Sequence, residues 1–439
     1  GMTMSKTLAD CVTFINGDRG KNYPKQVDFA NGEVPFISAT DLSNHSLSNQ
    51  SDYQKKISKS AYEKLRSGKV IKKDVLLCLR GSLGKLGVVS DDMVAAIASS
   101  LVILRSNAQI NSEFLFQWLR SPEFQQTLAS FDNGSVQGNL SVKSISTIEV
   151  PNFSPNHQRA IAHILGTLDD KIELNQKMNQ TLEEIAKAIF KSWFVDFDPV
   201  RAKAEGRPTG LPPEISDLFP DELVDTEIGE IPKGWSIHTS SEFCDSVRDG
   251  THDSPKPVRE GGHPLVTSKH IKGGILDFSS ANRISTEDFA AVNKRSEVSD
   301  GDVLISMIGT LGELYFVDEQ PTYAIKNIGL FKAKSKELGL WFYLFLKSRS
   351  SQEYLKISAQ GSTQQYLSLK TLRNIPVISP SKSVLSNFSL ISSPIFERIK
   401  TAKDEIKTLS ELRDTLLPKL ISGELHIPDA EKFLEEAGI

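Results

Sequence analysis

Cysteine is scarce in this chain: three among 439 residues. Cys11, Cys78 and Cys244 are scattered, odd in number and without metal-ligand spacing, which excludes a cystine-stapled fold and points to a reducing compartment, the cytoplasm. Histidine is also thin, eight in all, with no His-Glu-x-x-His pair, so no metal site is expected. No apolar run approaches the ~20 residues that span a bilayer, so no membrane role is expected. No Gly-rich turn has cofactor-cradle spacing, and Gly81-Ser-Leu-Gly-Lys85 lacks the hydroxyl residue that follows the lysine of a phosphate loop. An Asn/Asp-Pro-Pro-aromatic methyltransferase element is missing, since Leu211-Pro-Pro-Glu214 does not fit it. Phe219-Pro-Asp-Glu-Leu223 opens like a nuclease motif but has no Glu-x-Lys after it. His252-Asp253 has the composition of a dyad, yet Gly250-Thr-His-Asp-Ser-Pro255 reads better as a turn. The chain is read as non-catalytic, with no cofactor of its own.

What the sequence does have is a long apolar stripe. Ile161, Leu165, Leu168, Ile172, Asn175, Asn179, Leu182, Ala186, Ile189 and Trp193 follow a strict 4-3 alternation. Such a narrow seam is what a coiled coil needs and a core helix does not. At ~1.5 Å per residue the helix runs roughly 50 Å. The stripe returns 227 residues later as Phe388, Ser392, Ile395, Ile399, Ala402, Ile406, Leu409, Arg413, Leu416 and Leu420. A seam of this length must be covered by a partner protein, a second copy, or the sister helix in the same chain. The last fits best, because each chain carries one matched pair. Asn175, Asn179 and Arg413 are polar positions in the seam that can fix register.

The blocks before the two helices repeat as well. Phe36-Ile-Ser-Ala-Thr-Asp-Leu42 matches Leu265-Val-Thr-Ser-Lys-His-Ile271, and the buried-strand run Asp74 to Leu79 with its Gly81-Ser-Leu-Gly84 turn matches Gly301 to Ser306 with Gly309-Thr-Leu-Gly312. The helix at Asn111–Arg120 matches Leu340–Leu346, and the polar loop Asn133–Gly138 matches Gln360–Gln365. Ile145 to Val150 alternates like a strand. Residues 196–232, rich in proline and acid, read as an extended connector whose Leu211, Leu218, Phe219, Leu223 and Ile228 lie against something. The division is therefore 1–155 globular block, 156–195 helix, 196–232 connector, 233–381 globular block, 382–423 helix and 424–439 acidic tail. The fold class is α+β, with two pseudo-repeated α/β blocks separated by two long helices forming an intramolecular antiparallel coiled coil. The net charge of −4 conceals a split: residues 1–150 carry 17 Lys/Arg against 14 Asp/Glu and 231–380 carry 18 against 16, while 196–230 carry 3 against 10. Two mildly basic blocks suit phosphate binding.

Phe190-Lys-Ser-Trp-Phe-Val-Asp-Phe-Asp-Pro-Val200, Leu218-Phe-Pro-Asp-Glu-Leu223 and Ile228-Gly-Glu-Ile-Pro-Lys-Gly-Trp235 resemble the central region of Type I restriction–modification specificity subunits. Asp249-Gly-Thr-His252 and Gly301 to Gly309 resemble landmarks of their target-recognition domains; the first block has Asn16-Gly-Asp-Arg-Gly20 in place of the Asp-Gly-Thr-His element. The resemblance implies two target-recognition domains, each reading half of a split double-stranded DNA target, and spacer helices docking two modification (methyltransferase) subunits and, through them, restriction subunits. S-adenosylmethionine and ATP would then belong to the partners. A stand-alone two-headed DNA-binding regulator without enzymatic partners is the alternative. Base reading needs fixed donors and acceptors on loops, and backbone contact needs cations and hydroxyls. On that basis the DNA-binding candidates are Arg19, Lys21, Thr40, Arg80, Ser82, Lys85, Asn133, Ser135 and Gln137 in the first block. In the second they are Lys269, His270, Lys272, Thr310, Lys326, Asn327, Gln360, Ser362, Thr363 and Gln364.

Overall fold

The structure, a computed structural model, describes residues 5–131, 140–436 and 438. The chain divides into two units, Gly1–Gln176 with Asp404–Ile439, and Lys177–Lys403.

In the first unit a five-stranded sheet runs in the order Val12–Asn16, Leu101–Ser106, Val75–Cys78, Leu86–Val89, His45–Leu47. Its central strand shows why the sequence there is apolar without a break. Val75 and Leu77 enter one hydrophobic cluster, and Leu76 and Cys78 enter another on the opposite face. A strand with both faces covered loses the polar half of its period-two pattern. Beside it lies a three-stranded sheet, Lys56–Ile57, Val34–Ile37, Ala96–Ile97. The helix Ser112–Arg120 starts where the side chain of Asn111 accepts from Phe114 N at 2.8 Å.

The second unit repeats this plan. Ser246–Asp249, Ile328–Lys332, Val303–Ser306 and Leu314–Phe316 form a sheet in the corresponding order, and Asn282–Ile284, His263–Val266 and Ala324–Ile325 form the companion. Val303 and Ile305 face one cluster and Leu304 the other. Even the polar fixings recur. Buried Asp74 holds Arg105 at 2.8 Å, and buried Asp302 holds Lys332 at 2.6 Å. Gln125 Nε2 donates to Leu119 O and Gln352 Nε2 to Leu346 O, each at 2.8 Å. The units differ at one edge: where the first has the parallel strand His45–Leu47, the second has a hairpin, Ile271–Lys272 with Ile275–Leu276.

The stripes form two continuous helices, Pro155–Phe194 and Lys382–Ser422. In the first unit they run antiparallel, since Asp169 meets Arg413 at 3.0 Å while Lys171 meets Glu405 at 3.6 Å. Ile161, Leu165, Leu168 and Ile172 pack there with Leu409, Leu416 and Leu420, and Ile406 lies half-buried against them. In the second unit Phe190, Trp193 and Phe194 surround Phe388, with Ile189 alongside. Ile399 is buried, and Leu182 and Ile395 are half-buried. Asn175 and Asn179 are buried seam residues, and Asn175 Nδ2 and Asn179 Oδ1 have no hydrogen-bond partner among the described residues.

Three local readings are corrected. Ile145 lies in a short helix, Val142–Ser146, because Ser141 accepts from Ser144 N and nucleates a turn in place of a strand. Residues 196–232 are folded: a helix Asp198–Ala204 and a hairpin, Leu223–Thr226 with Gly229–Pro232, follow the first long helix. Phe219 there is buried on Trp193, 5.1 Å between ring centroids, whereas Ile228 at the hairpin tip is exposed. The acidic tail contains a helix, Ile427–Glu436, whose Ala430 and Leu434 join the first unit's core. Among the described residues no helix is long and apolar enough to cross a membrane.

Candidate nucleic-acid interface

In the second unit a chain of hydrogen bonds draws several loops to one end of the sheets. Strand Ser246–Asp249 runs into Gly250, where a Cβ would stand 2.4 Å from Ile325 O. Only glycine lets this loop lie so close to the neighbouring strand. Thr251 N then donates to Ile325 O at 3.1 Å, and Asn327 N donates back to Thr251 O at 3.2 Å. Ser268 Oγ donates to Asn327 O at 3.1 Å and accepts from Met307 N at 3.3 Å. Leu367 N completes the run by donating to Met307 O at 2.8 Å.

Most of the second-block candidates stand on this framework. Lys269 is exposed one residue beyond Ser268, and Thr310 is exposed in a tip closed by Ser306 Oγ donating to the Thr310 carbonyl. Lys326 Nζ bonds Ser254 Oγ, and Asn327 sits beside it in the left-handed region, φ 52°. Gln360 and Tyr366 exchange backbone hydrogen bonds at 2.9 and 2.8 Å, so Ser362, Thr363 and Gln364 project from a closed turn, not a slack loop. Tyr366 OH donates to Gln360 Oε1 at 3.1 Å and holds that side chain. Lys272 is exposed on the hairpin at 271–276, whose turn is held by Gly273 N donating to Glu313 at 2.9 Å.

His270 is turned the other way. It is 2% exposed, its Nδ1 accepts from Thr267 N at 2.8 Å, and burial pushes its pKa below the ordinary imidazole range. It caps its own turn and offers nothing to a ligand at the surface.

The first unit has the same scaffold with different side chains. A Cβ on Gly17 would lie 2.7 Å from Ala98 O, the counterpart of the Gly250 approach. Asp18 then takes Arg66 N at 2.7 Å and Arg19 N at 2.8 Å, leaving the Arg19 side chain outside. Ala98 N donates to Ile37 O, Leu79 N to Ser100 O, and Leu140 N to Leu79 O, the last matching the Leu367–Met307 link. Lys85 Nζ reaches Ala39 O at 3.5 Å and ties the Ser82 turn to the Thr40 turn. Lys21, Thr40, Ser82 and Lys85 are exposed and Arg80 is half-buried. Asn133, Ser135 and Gln137 lie outside the described residues.

Reading the sequence missed one cluster. His252, taken as a turn residue, places Nε2 2.9 Å from Asp249 Oδ2 and Nδ1 2.7 Å from Asn327 Oδ1, while Arg295 pairs with the other Asp249 oxygen. The signal was a histidine three residues after an aspartate across Gly-Thr, but its second partner is 75 residues away. No spacing rule reaches that far. Together these ends present lysines, amides and hydroxyls, which suit phosphate oxygens and base edges. Among the described residues there is no cluster of three or more side chains able to hold a metal ion.

Comparison with known proteins agrees with the duplicated plan. The family model for the Type I restriction modification DNA specificity domain matches twice, over residues 3–184 and 232–406. The specificity subunit of the Type I restriction enzyme HindI from Haemophilus influenzae is 28% identical, with 95% of this chain and 100% of that protein aligned. That of MjaIX from Methanocaldococcus jannaschii is 25% identical over 92% of this chain and 89% of its own. The crystal structure of a Type I restriction–modification S subunit from M. genitalium superposes with a TM-score of 0.56 at 15% identity, covering 95% of each chain, and so shares the fold. With both globular blocks and most of both helices inside the match, the chain belongs to the family of Type I restriction–modification DNA specificity subunits.

Proposed function

We propose that this chain selects the DNA sequence for a Type I restriction–modification complex, one globular block to each half of a bipartite target. The observation that carries this reading is the duplication itself: the same sheet order, the same buried ion pair and the same glycine approach bring equivalent loops to the strand ends of both units. Loop side chains differ between the units, as two readers of different half-sites require, while the scaffold beneath them is shared. A two-headed protein reads two half-sites at a spacing set by its own geometry.

The long helices are the docking elements for two methyltransferase subunits, and restriction subunits join through those. S-adenosylmethionine and ATP come with the partners, and this chain contributes recognition alone. Its length of helix sets the number of base pairs between the half-sites.

Mapping methylated adenines in DNA from cells that carry the complete system tests this reading. Two short defined elements separated by a fixed undefined gap are expected. A contiguous target, or methylation unaffected by removing this chain, contradicts it. Tight binding of the same duplex by the isolated chain, equal to that of the assembled complex, would instead favour a stand-alone regulator.

A further inference from the structure

We propose that Asp249 and His252 are positioning residues that set which edge of Asn327 faces DNA at the second half-site, an inference that rests on the specificity reading above. Asp249 is buried and pinned by Arg295, so its free oxygen, Oδ2, is a fixed acceptor. His252 Nε2 lies 2.9 Å from that oxygen and must donate to it. The ring is thereby oriented, and its Nδ1 stands 2.7 Å from Asn327 Oδ1. With an acceptor on each side, the ring donates from both nitrogens and holds the amide carbonyl inward.

The consequence is chemical. An unrestrained asparagine offers both amide edges and pairs with adenine through N6 and N7 together. Here the carbonyl is taken, so Asn327 turns out only its two Nδ2 hydrogens. A donor-only edge suits phosphate oxygens, guanine N7 and O6, or thymine O4, and does not suit the amino groups of adenine or cytosine. The backbone adds to the constraint, because Asn327 holds a left-handed φ of 52° and its carbonyl is tied by Ser268 Oγ. Lys326 next to it places a cation at the same rim. The first unit has Asp18-Arg19 at the corresponding loop, with Asp18 occupied by backbone N–H groups, so the device belongs to one half-site alone.

A double-mutant cycle on the assembled methyltransferase complex tests the inference, using duplexes that carry the mapped target and duplexes altered in one half or the other. Asn327→Gly keeps the left-handed backbone and deletes the amide, and Asn327→Asp keeps the acceptor toward His252 while deleting the outward donors. Each is expected to weaken target binding roughly three- to tenfold, the worth of one hydrogen bond, and to reduce discrimination against substitutions in the second half only. His252→Ala should weaken binding no more than Asn327→Gly does. The double variant should match Asn327→Gly alone, because histidine acts through the amide. Multiplicative losses in the double variant, or unchanged binding by Asn327→Asp, overturn the proposal. If the unmodified complex itself fails to discriminate against changes in either half, the specificity reading has failed instead.

Discussion

Buried titratable side chains give the residue-scale account its most direct checks. Cys244 is buried and its thiol is pushed up to about 12, while burial also raises Cys11 and Cys78. Since the thiolate is the nucleophile, none of the three should react quickly with a thiol reagent in the native chain at about pH 8. Rapid labelling before unfolding would show that one of these sites opens. His270 gives a pH dependence. Its folded-state pKa lies below the ordinary value of ~6.5, so the unfolded chain takes up a proton that the folded chain resists. Stability is complete above about pH 6.5 and falls as pH drops toward the lower folded value. His270→Asn preserves an acceptor near Thr267 N and removes the titration, so its melting temperature should decline less between neutral and mildly acidic pH. The paired aspartates provide a third check. Asp74→Ala and Asp302→Ala each strand a buried cation partner and several turn N–H groups, and each should cost about 3 kcal/mol in denaturant unfolding. A loss under ~1 kcal/mol, the worth of an exposed pair, would mean that water already reaches the carboxylate.

At the scale of elements, the seams and the buried strands were legible because each is a strong periodic signal with one physical cause. The stripe from Ile161 predicts Pro155–Phe194, and the apolar run at Val75 predicts a strand covered on both faces. Signals that depend on a partner far along the chain were not legible. The alternation at Ile145 to Val150 has the right period for a strand, yet the Ser141 cap commits the segment to a helical turn first. Residues 196–232 look disordered by composition, but Phe219 finds Trp193 and folds the segment against the helix end. His252 became a site residue only when Asn327 appeared beside it, and His270 ceased to be one because its neighbours bury it. The aromatic contacts around Phe388 permit a quantitative expectation: Phe388→Ala should destabilise the second unit by about 3–5 kcal/mol, read as an earlier denaturant midpoint for that unit. A smaller cost would mean that Phe190, Trp193 and Phe194 close over the space.

For the whole molecule, the account makes recognition modular and spacing a matter of helix length. One heptad added to each long helix, near Asn175 and near Ala402, lengthens each by roughly 10 Å, about three base pairs at ~3.4 Å. The mapped gap should grow by about that amount with both half-sites unchanged, and an unchanged gap would show that the helices do not set it. The most direct measurement of the central claim is to exchange residues 233–380 for the equivalent segment of another specificity subunit and map the methylated adenines. One half of the target should change while the other half stays as it was. A change in both halves, or in neither, contradicts the assignment of one reader to each half-site.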